Sequence, residues 1–143
     1  MPPMESLTAN DALIIADIQN DFLPGGALGI TGGNEIVPVL QTYIRRFHAR
    51  NLPIFLTRDW HPPNHCSFRD HGGPWLVHCV AGTAGSLPPP AFETPASAVI
   101  IYKAIDRDQE AYSAFQSTLL NRHLLALGTT RLFIGGLATD YCV

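Results

Sequence analysis

Charge is sparse in this chain. Asp, Glu, Lys and Arg make up 15% of its 143 residues and sum to a net charge of -3. That balance offers no basic surface for nucleic acid or for an anionic membrane. Long apolar runs are missing too: none approaches the roughly 18 residues that a spanning helix needs. The opening MPPMESLTAND has no basic segment ahead of an apolar one, so it does not read as a secretory signal. Cysteine is scarce and odd in number, with three residues, which argues against a disulfide framework and for a reducing, cytoplasmic setting. There is no internal repeat. The glycine-rich stretch PGGALGITGG is not followed by G-K-[ST] and opens no G-x-G-x-x-G helix, so it does not match a phosphate loop.

What is present suits one globular domain over residues 1-143, with 46% hydrophobic residues to build a core. Residues 12-16, ALIIA, form a continuous apolar run, as expected of a strand buried on both faces. A helix is expected after Asn34, its cap, with Ile36, Val37, Leu40, Ile44 and Phe47 on one face and Pro38 tolerated in the first turn. IFLT (54-57), AVIIY (98-102) and RLFIG (131-135) read as three more strands. EAYSAF reads as a short helical turn. A helix over about 117-127 would carry Leu119, Leu120, Leu124 and Leu127 on one side, with Gly128 at its left-handed end. Residues 60-97 are irregular, and a loop of that length in a compact domain usually carries function. Alternating strands and helices predict an α/β fold: a doubly wound, mostly parallel sheet with helices on both faces. Ligands of such folds gather beyond the carboxyl ends of the strands. Asp17, Asp59, Lys103 and Cys142 each follow closely on an expected strand end.

Two chemistries are open at that edge. Asp59 and His61, two apart in extended backbone, point the same way. With His78 they make a plausible set for Zn, Fe or Mn, and His65, Asp70, Cys66 and Cys79 are nearby ligand types. A solvated polar loop has the same composition. Cys142 is a candidate nucleophile if Asp17 takes its proton and Lys103 balances the charge, whereas these residues alone favour an inert buried cysteine with a structural acid and a surface lysine. The glycines Gly135 and Gly136 allow a turn whose N-H groups hold an oxyanion, or a plain tight turn. Phe22, Trp60, Trp75 and Tyr112 lie in or near the loops and could wall a pocket for a flat ring, or simply pack.

Taken jointly, DIQNDF (17-22), RDWHPPNHCSF (58-68), GPWLVHCVAGTAG (73-85), Lys103 with EAYSAF, and GGLATDYCV (135-143) resemble the nicotinamidases of the isochorismatase-like cysteine hydrolase family. The segments keep the family's order across almost the whole chain. The resemblance implies a three-layer α/β sandwich and a catalytic set of Asp17, Lys103 and Cys142. It implies metal ligands Asp59, His61 and His78, with His65 where some members supply another. It further implies a ring-binding wall of Phe22, Trp75 and Tyr112, a cis peptide between Leu137 and Ala138, and an oxyanion hole from the N-H groups of Ala138 and Cys142. The implied reaction converts nicotinamide, and by extension pyrazinamide, to the acid and ammonia through a Cys thioester, with a divalent metal on the pyridine nitrogen, as in NAD salvage. Zinc is the expected metal, with Fe or Mn as alternatives. Family members usually continue beyond the cysteine, so C-terminal elements are expected to be missing and the uncovered sheet to favour homo-oligomers. An inactive metal-binding or interaction fragment, or a related hydrolase of another substrate, is the competing reading.

Overall fold

The computed structural model describes residues 6–143. Four parallel strands, β1 (Asp11–Ala16), β2 (Ile54–Asp59), β3 (Val99–Lys103) and β4 (Arg131–Gly136), form one sheet in the order β3-β2-β1-β4. Every residue of β1 is buried, as a central strand covered on both faces requires. Alternation along it decides the layers. Leu13 and Ile15 join Leu40, Ile44 and Phe47 of helix α1 (Gly33–Ala49) in one core cluster. Ala12 and Ile14 join Leu120 and Leu124 of helix α2 (Leu120–Ala126) in the other. The two helices therefore cover opposite faces, and the sheet is doubly wound.

Local details differ from the sequence-based expectation. Asn34 does not cap α1. The helix starts at Gly33 behind a left-handed Gly32, so Pro38 falls in its second turn and the bond to the Asn34 carbonyl is absent. EAYSAF forms no helix; Gln116 N-H donates to Ser113 O in a turn, and the left-handed Ser117 blocks any continuation into α2. The helix is thus seven residues long and buries only Leu120 and Leu124, while Leu119 and Leu127 stay 57% and 53% exposed. Gly128 does take the left-handed conformation, with its N-H donating to Leu125 O. Residues 60–97 hold two 3-10 turns, Arg69–His71 and Ala84–Ser86, and otherwise irregular chain. No helix among the described residues is long and apolar enough to cross a membrane.

An ion pair fixes the start of β1 to β4. Asp11 is buried and accepts two hydrogen bonds from Arg131, Nε to Oδ1 at 2.7 Å and Nη2 to Oδ2 at 2.6 Å. Arg131 lowers the Asp11 carboxyl from 3.8 to about 2, with burial opposing it. A depressed acid stabilises the fold above its unfolded value, and that contribution is lost as pH falls through the folded one. Asp11→Asn is expected to lower urea stability at neutral pH. The gap to wild type should close as pH falls from about 4 to about 2, as denaturant titrations across that range would show.

Candidate active site

The strand order lines up the carboxyl ends of β3, β2, β1 and β4. The connection changes direction between β1 and β4, the place where doubly wound sheets open a crevice. Four side chains meet there. Lys103, at the end of β3, is 1% exposed and sits between two carboxylates. Its Nζ lies 2.6 Å from Asp59 Oδ1 and 2.9 Å from Asp17 Oδ2. It also donates to Ala111 O at 3.4 Å and lies 3.3 Å from Cys142 Sγ. Asp17 turns out of β1 through a left-handed backbone and is fully buried, and Thr57 Oγ1 donates to its Oδ1 at 2.8 Å.

Burial raises the Asp17 carboxyl; the Lys103 ammonium opposes the rise and the Asp59 charge adds to it. For Lys103 burial disfavours the charge, but the two carboxylates outweigh it and hold the ammonium protonated. Burial pushes the Cys142 thiol well up, Asp17 adds to this, and Lys103 offsets part of it. The resting cysteine is a thiol beside a carboxylate made more basic by burial.

The turn carrying Cys142 begins at Gly136, which has φ +140 and lies so close to the Ala16 backbone that a Cβ would overlap it. The Leu137-Ala138 peptide is cis. Tyr141 and Val143 N-H both donate to Ala138 O, closing the turn. The N-H groups of Ala138 and Cys142 have no acceptor among the described residues.

Beside the thiol, Asp59, His61 and His78 place one ligand atom each within 4.8 Å of one another. His61 Nδ1 faces the Ala104 carbonyl at 3.0 Å, and His78 Nδ1 faces the Leu76 carbonyl at 2.7 Å. A carbonyl can only accept, so each Nδ1 carries a proton, and each Nε2, once deprotonated as a metal ligand must be, turns a lone pair inward. Those two atoms lie 3.5 and 3.9 Å from Asp59 Oδ2, and the buried His61 Nε2 has no hydrogen-bond partner among the described residues. Three acceptors facing one point fit a cation. His65 does not join this set: it stacks on His61 at 4.2 Å, and its nitrogens are engaged by Ser67 Oγ at 2.7 Å and Gln109 O at 2.8 Å. It groups with His61 and Glu110 instead. Burial pushes His78 down, while Asp59 raises His61 against burial and is itself held at about 2, burial being outweighed by His61 and Lys103.

A cavity of about 220 Å³ lies beside these groups, lined by Phe22, Trp75, Tyr112 and Tyr141 together with Asp59, His78 and Ala138. Trp75 Nε1 donates to Tyr112 Oη at 3.1 Å, and Tyr141 packs edge-on against Trp75 at 5.3 Å. Trp60 lies outside it, packed on Tyr102 at 4.8 Å. Tyr141 was not singled out in the sequence, although it sits beside Cys142. A second, apolar groove of about 310 Å³ between α1 and β4 has Tyr43 as its one titratable group and lies away from these side chains.

The isochorismatase domain model matches residues 11–143. This chain belongs to the isochorismatase family. Within the family it is similar to the nicotinamidase of Acinetobacter baylyi, 36% identical over 94% of this chain and 71% of that one. The crystal structure of the pyrazinamidase of Pyrococcus horikoshii in complex with zinc is 48% identical with a TM-score of 0.90, covering 94% and 74% of the two chains. That of PnC1 from L. infantum in complex with nicotinate is 38% identical with a TM-score of 0.88, covering 96% and 72%.

The Asp17 charge raises the neighbouring thiol. Asp17→Asn should therefore make Cys142 react with iodoacetamide at lower pH than in wild type, as followed by mass spectrometry of its peptide. An unchanged pH profile would show that the two groups do not interact.

Proposed function

We propose that the chain is a nicotinamidase: an amidohydrolase that converts nicotinamide to nicotinate and ammonia through a thioester on Cys142. The observation that carries this reading is that a thiol–carboxylate–ammonium cluster and a two-imidazole, one-carboxylate set share Asp59 as a neighbour, beside an aromatic-walled cavity that Asp59 and His78 line. The similarity to nicotinamidases and to structures holding zinc and nicotinate supports the same substrate and metal.

Asp59, His61 and His78 would hold a divalent cation, zinc by the resemblance, which when bound supplies a Lewis-acid site for the pyridine nitrogen and so fixes the ring's orientation. Phe22, Trp75, Tyr112 and Tyr141 sandwich the ring and exclude water. Asp17 takes the proton from Cys142 as Sγ bonds to the carboxamide carbon. The developing oxyanion accepts hydrogen bonds from the N-H groups of Ala138 and Cys142, each worth roughly 2.7–4 kcal/mol to such a transition state. The C–N bond breaks, Asp17 gives its proton to the leaving nitrogen, and ammonia departs. Water then attacks the thioester, losing its proton to Asp17, and the C–S bond breaks. Nicotinate leaves, and Asp17 returns the proton to the sulfur. Lys103 stays charged throughout and keeps Asp17 and the sulfur from repelling each other.

Purified protein is expected to release ammonia from nicotinamide, and Cys142→Ala to abolish release while retaining bound metal. His61→Ala should lower metal content and raise KM. Full metal content with an unchanged KM in that variant would refute its assignment as a ligand.

A further inference from the structure

β1 leaves the sheet before β2 does. Its ladder with β2 ends at Ala16 opposite Thr57, Asp17 N-H donates to Thr57 O at 3.1 Å, and the left-handed Asp17 then turns the main chain away. β2 runs on to Asp59, whose peptide groups have no main-chain partner on that side among the described residues. The Gln19 side chain takes that place. Asp59 N-H donates to Gln19 Oε1 at 3.0 Å, and Gln19 Nε2 donates to Asp59 O at 2.8 Å and to Ser86 O at 2.9 Å. The side chain is fully buried. A carboxamide can accept from the Asp59 N-H through its oxygen while its two N-H groups donate to the Asp59 and Ser86 carbonyls. On its other side Asp59 is paired with Lys103 in β3.

The same turn reaches the other ligand-bearing segment. Asp21 Oδ2 accepts from Cys79 N-H, the residue after His78, at 2.7 Å. Gly85 packs so closely on the Asp21 carboxylate that a Cβ would overlap it. Asn20 makes a similar tie to the same loop, Nδ2 to Ala84 O at 2.8 Å, without touching a ligand-bearing residue.

We propose that Gln19 is a positioning residue of the cation site. Its carboxamide extends the β1–β2 ladder by one rung, so that the Asp59 carboxylate stays aimed between Lys103 and the two imidazole Nε2 atoms before any metal arrives. Asp21 fixes the segment of His78 in parallel. The inference rests on the reading of Asp59, His61 and His78 as metal ligands, and it concerns how that site is preformed.

The test is zinc affinity of the metal-stripped full chain, by competition with a chromophoric chelator, for wild type, Gln19→Glu, Gln19→Met and Asn20→Ala. Glu places a second acceptor against the Asp59 and Ser86 carbonyls, and Met makes none of the bonds. Both Gln19 variants are expected to bind zinc about 10–100-fold more weakly, the usual effect of losing an outer-shell partner, and Asn20→Ala to bind as wild type. Folded Gln19 variants with wild-type affinity, or an equal loss in Asn20→Ala, would overturn the proposal. Hydrogen exchange on wild type needs no variant to fold: the Asp59 and Cys79 amides should be protected equally with and without zinc. Protection that appears only on adding zinc would overturn preformation. Failure of wild type to bind zinc would refute the metal reading itself and the inference with it, whereas wild-type binding with unaltered variants refutes the inference alone.

Discussion

One buried ammonium organises the carboxyl edge of the sheet. Lys103 is held between Asp17 and Asp59 with almost no access to water, so three strands, β3, β1 and β2, end on a single cluster of charges. Removing one partner from such a cluster typically costs 3–5 kcal/mol, because the remaining charge is left uncompensated. The ammonium offsets part of the cost of holding two carboxylates close together, lowering Asp59 and opposing the rise that burial imposes on Asp17. Asp17 is then available to the thiol on one side, and Asp59 to the imidazoles on the other. The ammonium thus joins the proposed acyl-transfer centre to the proposed metal centre.

Around that cluster the main chain does much of the positioning. Carbonyls of Ala104 and Leu76 fix the tautomers of His61 and His78. Gly136 lets the last turn lie against Ala16, which brings Cys142 back over the end of β1. The tie between Trp75 and Tyr112 holds two of the aromatic walls, from loops 37 residues apart, in one surface. The contacts of His61, His78 and Trp75 tie the irregular segment 60–97 down beside the site.

Much of this was legible in the sequence. The continuous apolar run at ALIIA specified a buried strand, and the acids and lysine at strand ends specified the edge of the parallel sheet where charged groups converge. The resemblance added the pairing of segments far apart in the chain. Other features depended on tertiary context. Trp60 is as aromatic as Trp75, but it leaves β2 toward Tyr102 instead of the cavity. His65 has the right chemistry for a ligand, yet Ser67 and Gln109 occupy its nitrogens. Leucine periodicity could not reveal that Ser117 would shorten α2 to two turns. Gln19 reads as an ordinary polar residue until the early departure of β1 exposes the peptide groups of Asp59.

The central claim is that Cys142 carries the acyl group. Rapid acid quenching of the chain during reaction with nicotinamide, followed by peptide mass spectrometry, tests it directly. The account predicts a mass increase of one nicotinoyl group on the peptide containing Cys142, absent from Cys142→Ala and lost as substrate is exhausted. Steady ammonia release by the Cys142→Ala variant, or a nicotinoyl group on Cys66 or Cys79 instead, would contradict it.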